Sequence, residues 1–176
     1  NEAKTITGAR RRKIALLLKH NINLFGYHLP LDDHPDVGNN VELGKILGIK
    51  NMQPVKDSLL WQGELKSNLS DFIKLIEEKL DRAPQIFGRQ EGAIKKIAWC
   101  TGGAQSFIDD AISLNVDLYL SGEVSEKTPA AAKENNITFV SAGHHATERY
   151  GVQALCKHLC AKFKLQHQYI EVENSV

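Results

Sequence analysis

The 176-residue chain carries a net charge of +1, which provides no field that would draw it onto nucleic acid or an anionic membrane. With 42% hydrophobic and 24% charged residues, it has enough apolar material for the core of one domain or two small ones. Its apolar stretches are too short to span a bilayer, and no charged-then-apolar leader opens the chain. The odd number of cysteines, three, argues against a disulfide scaffold. We therefore expect a cytoplasmic protein.

The first half of the chain alternates helix-forming, strand-forming and loop-forming segments. A basic run at 10–13 precedes an apolar helix face and is interpreted as a solvated helix end rather than a nucleic-acid surface. The patterns predict, in chain order, a helix at 10–20, a strand at 22–28 and a Pro- and Asp-rich loop at 29–40. A short helix follows, capped by Asn39 or Asn40 and ending at Gly48. After an irregular or strand-like stretch at 51–66, an amphipathic helix is capped by Ser70.

The second half contains the clearest supersecondary unit of the sequence. After a turn-rich stretch at 81–92, a strand at 94–100, a glycine turn and a helix at 105–115 lead into a strand at 116–120, so these two strands should lie parallel. The remaining predicted elements are a helix at 128–135, a strand at 138–142, a helix at 146–164 and a last strand at 168–172. This alternation predicts an α/β fold with mixed or largely parallel sheets flanked by helices.

The strongest chemical signal is the segment GHHATER at 143–149, where a buried strand passes into a helix. His144 and Glu148 are four residues apart, so on a helix their side chains lie on one side. An imidazole nitrogen and a carboxylate oxygen are donors for Zn²⁺, Fe²⁺, Mn²⁺ or Ni²⁺, and a carboxylate can bridge two ions. The alternative is that the pair caps the helix and forms only local hydrogen bonds.

A second cluster, HLPLDDHPD at 28–36, also follows a predicted strand. Its acids and imidazoles suit a metal ion, or a phosphate-bearing substrate held through metal. Loops rich in Asp and Pro are also common turns; Asp36 near Gly38 is interpreted in this way, and His34 is equally consistent with a surface residue. Because both clusters stand at the carboxyl end of a strand, each strengthens the metal interpretation of the other.

Two further patterns have simpler structural explanations. The turn TGGA at 101–104 could present backbone N–H groups to an anion, but a tight glycine turn after a strand accounts for it as well. Cys156 and Cys160 have a metal-like spacing, yet they fall within an apolar stripe of the last helix. We therefore expect both thiols in the core.

Four segments together resemble the Nif-three-like (YbgI-type) family, often called GTP cyclohydrolase 1 type 2 homologues. They are GYHLPLDDHPDVGNN at 26–40, AWCTGGAQSFIDDA at 98–111, SGEVSEKT at 121–128 and AGHHATERYG at 142–151. The resemblance implies two related α/β domains: a partial metal-site domain made of residues 1–52 and 136–176, and a central domain made of residues 53–135. It also implies a toroidal homohexamer with metal sites that face an inner cavity.

The resemblance further implies a dinuclear metal site with two divalent ions (Zn, Fe, Mn, Ni or Mg) per full-length subunit. Its ligands here would include Asp32, His144 and Glu148, the glutamate bridging, while His28 and His145 beside them are candidate catalytic or substrate-facing residues. The family also uses an adjacent His-His pair that would stand upstream of residue 1. We therefore expect this chain to lack an N-terminal segment and to bind metal weakly on its own.

The function implied by the resemblance is that of a metal-dependent hydrolase. Its ions would activate a water molecule toward a nucleotide or a phosphoester, although no residue identifies the small-molecule substrate. The alternative is a non-enzymatic metal-binding ring with a structural, metal-handling or regulatory role. In either case the sequence predicts self-association, and it predicts neither a nucleic-acid nor a membrane partner.

Overall fold

A computed structural model describes residues 5–175 of the chain. Its helices are α1 (Gly8–Lys19), α2 (Leu29–Asp32), α3 (Asn39–Ile46), α4 (Leu69–Leu80), α5 (Ile108–Ser113), α6 (Thr128–Glu134) and α7 (His144–Phe163). Its strands are β1 (Lys50–Pro54), β2 (Trp61–Asn68), β3 (Gln85–Gly88), β4 (Ala93–Cys100), β5 (Leu118–Ser121) and β6 (Thr138–Ser141).

These strands form one mixed sheet with the order β1-β2-β4-β5-β6-β3. Strands β4, β5 and β6 lie parallel at its centre, and the outer pairs are antiparallel. The predicted α/β fold class and the predicted parallel β-α-β unit are thereby confirmed. The sheet takes β6 from the predicted metal-site segment 136–176 and β2 to β5 from the predicted central segment 53–135. The division into two domains stays a prediction.

The alternation of side chains along β4 explains how both faces of the sheet are covered. Ile97 and Trp99 join an apolar cluster with α3 and α4, whereas Ala98 and Cys100 join a second cluster with α5 and α6. The Trp99 ring is fully buried, and its indole nitrogen donates to the backbone oxygen of Asn40 at 2.8 Å. Helices on both faces fix the central strands, and with them the edge at which those strands end.

Both predicted helix caps are wrong. Asn68, not Ser70, caps α4, because its side-chain oxygen accepts the backbone N–H of Asp71 at 2.9 Å. Asn39 and Asn40 are the first two residues of α3 rather than its caps. Both are buried, and their side chains form hydrogen bonds to other segments of the chain instead of capping the helix. Sequence spacing does not reveal these bonds.

The stretch 51–66, predicted to be irregular or strand-like, contains most of β1 and β2, so the strand-like alternative is confirmed. Two segments predicted as a turn-rich stretch and a loop contain short regular elements: 81–92 contains β3, and 29–40 contains α2. The helix predicted at 105–115 is a 3-10 turn at 105–107 followed by the short helix α5. The last helix begins at His144, two residues earlier than predicted.

The predicted strands at 22–28 and 168–172 are wrong. Both segments lack strand hydrogen bonding in the structure, and large apolar side chains in both are exposed, among them Leu24 at 76% and Ile170 at 71%. Residues with strand propensity form a strand only where a neighbouring strand accepts their backbone hydrogen bonds. Within the described residues no strand of the sheet pairs with either segment.

The expectation that Cys156 and Cys160 lie in the core is also wrong. The buried residues of α7 are Ala146, Thr147 and Gly151, all in its first half, and the two thiols are only half-buried. The first helix, α1, has no buried residue. The apolar stripe on α7 is therefore a surface feature here.

None of the helices built from residues 5–175 is long and apolar enough to cross a membrane.

Candidate functional site

The candidate site lies at the edge of the sheet where the parallel strands end. Gly102 follows β4, Glu123 lies just beyond β5, and His144 opens α7 after β6. Backbone hydrogen bonds join the three loops, because Gly122 N donates to Gly102 O at 2.9 Å and Gly143 N donates to Gly122 O at 2.9 Å. Ligands commonly bind at this edge of α/β sheets.

His144 is the centre of a polar cluster at this edge. Its Nδ1 lies 2.6 Å from a carboxylate oxygen of Glu123, and its Nε2 lies 3.2 Å from a carboxylate oxygen of Glu148. The prediction that His144 and Glu148 lie on one side of a helix is confirmed, since α7 includes both. One imidazole is thus flanked by a carboxylate at each ring nitrogen.

Gly102 lies directly against the side chains of this cluster. A Cβ atom at this position would lie 1.9 Å from Glu148 Oε1 and 3.0 Å from His144 Nε2, and the residue has a φ of +66° that favours glycine. Its N–H donates to the hydroxyl of Thr147 at 3.0 Å. The turn 101–104 therefore uses this N–H to tie β4 to α7, and its glycine gives Glu148 and His144 room.

Asp32 approaches the cluster from a different part of the chain. It is only 7% exposed, and one of its carboxylate oxygens accepts from Asn39 Nδ2 at 2.7 Å. The side-chain oxygen of Asn39 in turn accepts from Gly151 N in α7 at 2.7 Å. Asn39 therefore connects the Asp32 carboxylate to the helix that carries Glu148.

The electrostatics show which charges face one another. The pKa of the Glu148 carboxyl is raised, and burial is the largest cause. The negative charge of Asp32 raises this pKa further, whereas His144 lowers it. Burial acts to lower the pKa of His144, but the hydrogen bond to Glu123 and the charge of Glu148 outweigh it, so that pKa is raised. Asp32 and Glu148 thus share one electrostatic environment with the imidazole.

Comparison with known proteins places this arrangement in a family. The profile of Duf34/NIF3 (NGG1p interacting factor 3) matches residues 1–175. This chain belongs to the Duf34/NIF3 family. It is 44% identical over 178 aligned residues to a protein of Allochromatium vinosum and 45% identical over 179 to one of Pseudomonas aeruginosa, both named GTP cyclohydrolase 1 type 2 homolog. The alignments cover 99% and 98% of this chain, and 70% and 71% of those relatives.

Solved structures of similar proteins support the same assignment. The structure titled protein ybgI, of unknown function, has a TM-score of 0.94 and 40% sequence identity over 100% of this chain and 72% of its own. A protein from Thermus thermophilus has a TM-score of 0.91 and 25% identity over 99% of this chain and 71% of its own. The resemblance drawn from the four sequence segments is therefore confirmed.

The predicted ligand set of this NIF3 family member is only partly assembled. Across residues 5–175, no three His, Cys, Asp or Glu side chains are grouped closely enough to hold one ion. His144 and Glu148 are in contact, and Asp32 is near enough for its charge to act on Glu148. The assignment of these three residues as metal ligands stays a prediction.

The donors themselves fit a divalent ion. Carboxylate and imidazole are ordinary ligands of Zn²⁺, Mn²⁺ and Fe²⁺, and a ligating histidine usually has its other nitrogen bound to a carboxylate, as His144 has with Glu123. The Glu148 carboxylate and the His144 ring lie directly against Gly102, in space that a side chain at this position would occupy. Thr101, beside Gly102, is 4% exposed, and its hydroxyl has no hydrogen-bond partner among residues 5–175.

The other predicted site residues are placed differently. His28 is exposed, although its charge acts on Glu148 and opposes the rise in the pKa of that carboxyl. His145 Nε2 lies 2.8 Å from Glu171 in the C-terminal segment, and this contact occupies one of its ring nitrogens. His34 accepts the backbone N–H of Asp36 at 3.2 Å and so belongs to a local turn.

Sequence reasoning missed Glu123 and Asn39. Glu123 stands in the segment 121–128, at the end of the parallel strand next to the one that leads into His144. A comparison of the residues that follow each parallel strand would have found it. Asn39 gave no such signal, because its role depends on contacts 7 and 112 residues away in the chain.

Proposed function

We propose that this protein is a metal-dependent hydrolase that binds divalent ions through Asp32, His144 and Glu148. The observation that carries the proposal is the setting of His144. Its Nε2 lies 3.2 Å from Glu148 and beside Gly102, while its Nδ1 contacts the Glu123 carboxylate. A carboxylate on the ring nitrogen that faces away from the ion is the usual setting of a metal-ligating histidine.

Each of the three residues would have a separate role. His144 would supply a nitrogen donor, and Glu148 a carboxylate that can bridge two ions. Asp32 would supply a second carboxylate through the oxygen that does not accept from Asn39. A bound Zn²⁺, Fe²⁺, Mn²⁺, Ni²⁺ or Mg²⁺ would supply Lewis acidity and lower the pKa of its water. We propose two such ions per full-length subunit.

The substrate is proposed to be a nucleotide or a phosphoester. A cavity of about 590 Å³ adjoins the site, within the usual range of about 300–1,000 Å³ for small-molecule pockets. His144, Glu148 and Arg149 contribute its polar side, and Val152, Ile170 and Val172 its apolar side. His145 also lines this cavity, and His28 lies near Glu148, so both stay candidates for substrate contact.

Metal binding is tested first. Calorimetric titration with Zn²⁺ and Mn²⁺ should show binding that His144→Ala, Glu148→Gln and Asp32→Asn each weaken by about 10–100-fold or more. His158→Ala is the matched control, because His158 is exposed on the same helix and should leave the affinity unchanged. Equal affinity in all four variants would contradict the ligand assignment.

Hydrolysis is tested second, on the metal-loaded protein. A screen over nucleotides and phosphoesters should find turnover that depends on added metal and is lost in Glu148→Gln. Tight metal binding without turnover of any tested compound would instead support the alternative, a metal-binding protein with a structural, metal-handling or regulatory role. An enzyme needs an open coordination position, whereas a structural site is closed.

Self-association is proposed for either function. Large apolar side chains of α1, of residues 22–29 and of α7 are exposed, with Leu18 at 74% and Phe163 at 58%, and exposed patches of this kind often mark interfaces. We propose a homo-oligomer, and a hexamer as the resemblance implies. A protein that sediments as a monomer at micromolar concentration would contradict this part of the proposal.

A further inference from the structure

Glu123 makes the shortest contact to His144. Its Oε1 lies 2.6 Å from His144 Nδ1, compared with 3.2 Å between His144 Nε2 and Glu148. An ionised carboxylate can only accept a hydrogen bond, so a neutral imidazole between two carboxylates places its single proton on the nitrogen with the better acceptor. The shorter contact assigns that proton to Nδ1 and leaves the lone pair on Nε2.

The loop that carries Glu123 is fixed by its backbone. Gly122 donates to Gly102 O at 2.9 Å and accepts from Gly143 N at 2.9 Å, so it lies between the turns that follow β4 and β6. The hydroxyl of Ser141 also donates to Gly122 O at 3.0 Å. These bonds fix the backbone from which the Glu123 side chain reaches His144.

The Glu123 carboxylate lies beside the turn that follows β4. A Cβ atom at Gly103 would lie 3.4 Å from one carboxylate oxygen of Glu123 and 3.5 Å from the other, which is ordinary contact distance. Beyond the loop, Ser125 and Thr128 share a hydroxyl contact of 2.8 Å at the start of α6. Glu123 therefore lies beside Gly103, on a loop that this hydroxyl contact joins to the start of α6.

We propose that Glu123 is a positioning residue that fixes His144 in the tautomer with a proton on Nδ1 and an open lone pair on Nε2. This inference rests on the proposed function, because the open lone pair is what a divalent cation needs. Glu123 acts through the imidazole and need not touch the ion. A carboxylate behind a ligating histidine also makes that ligand more basic.

Two measurements test this proposal, and both use the full chain. The first is the tautomer of His144 without metal, read from ¹⁵N shifts of labelled histidine at alkaline pH, where the imidazoles are neutral; His144→Ala assigns the signal among the seven histidines. The second is the calorimetric affinity for Zn²⁺ or Mn²⁺. Variants Glu123→Gln and Glu123→Ala are compared with Glu126→Gln, which removes a charge from an exposed position of the same loop.

We expect His144 of the wild-type protein to carry its proton on Nδ1, and Glu123→Ala to lose that preference. Affinity for the ion should fall by about 10–100-fold in both Glu123 variants and stay unchanged in Glu126→Gln. Glu123→Gln keeps the size of the side chain, and an unchanged unfolding midpoint would show that the loss does not come from a damaged fold.

Two results would overturn the inference. One is a wild-type His144 protonated on Nε2; the other is a Glu123→Ala variant that binds the ion as tightly as the wild type does. Failure of the proposed function looks different. A wild-type protein that binds no ion, yet shows the Nδ1 tautomer and loses it in Glu123→Ala, would refute the metal site and support the role of Glu123 in orienting His144.

Discussion

Replacing Gly102 with alanine should abolish the candidate site without unfolding the protein. The added Cβ would lie 1.9 Å from Glu148 Oε1, so the carboxylate would have to retreat by roughly 1.5 Å to reach an ordinary separation of about 3.5 Å. Ligand distances in metal sites tolerate only about 0.2 Å. We therefore expect the affinity for Zn²⁺ or Mn²⁺, measured by calorimetry, to fall by about 100-fold or more.

Gly48 provides the matched control for this substitution. Its φ of +70° is close to the +66° of Gly102, but a Cβ at Gly48 would meet nothing within 4 Å. Gly48→Ala should therefore show the backbone strain alone, about 1–2 kcal/mol, which lowers the melting temperature by about 2–4 °C per kcal/mol. Its metal affinity should not change. If Gly102→Ala and Gly48→Ala bind Zn²⁺ or Mn²⁺ with equal affinity, the argument that Gly102 sets the positions of Glu148 and His144 is refuted.

Three further substitutions or treatments test other parts of the structure. Asn39→Ala removes the link between Asp32 and Gly151, and we expect the calorimetric affinity for divalent ions to fall by about 10–100-fold; an unchanged affinity would show that Asn39 does not position a ligand. Asn40→Ala leaves the Thr101 N–H and the Leu59 carbonyl without partners, and urea unfolding should show a loss of about 2–4 kcal/mol at an unchanged m value. Burial raises the pKa of the Cys100 thiol to about 12, whereas Cys156 and Cys160 are half-buried. A thiolate-selective reagent at neutral pH should therefore modify those two thiols in the native protein, as counted by mass spectrometry, and rapid labelling of Cys100 would contradict the described core.

The sequence was informative where local spacing decides geometry. His144 and Glu148 could be predicted to share one side of a helix because the separation of four residues is enough to place them. The central β-α-β unit was predictable for a similar reason, since strands β4 and β5 are separated by a short helix and contain mostly buried residues. In both cases the partners lie close together in the chain.

Prediction failed where the partner lies far away in the chain. Residues 22–28 and 168–172 have strand-like sequences, but a strand also needs a neighbour, and local propensity does not provide one. Asn40 resembles a helix cap, yet its side chain accepts the N–H of Thr101, 61 residues later. The contact between Glu123 and His144 depends in the same way on the order of parallel strands, which the sequence does not state.

The two sides of the proposed metal site are held by different parts of the fold. Gly102, Glu123 and His144 stand on loops that the backbone joins directly at the ends of three buried parallel strands. Asp32 instead follows the exposed segment 22–28 and is linked to α7 through the side chain of Asn39. Asp32 itself is buried, so Asn39 holds its carboxylate in place even though the preceding segment is exposed. In the proposed site, His144 and Glu148 would therefore be positioned by the ends of the parallel strands, and Asp32 by one amide side chain that also binds α7.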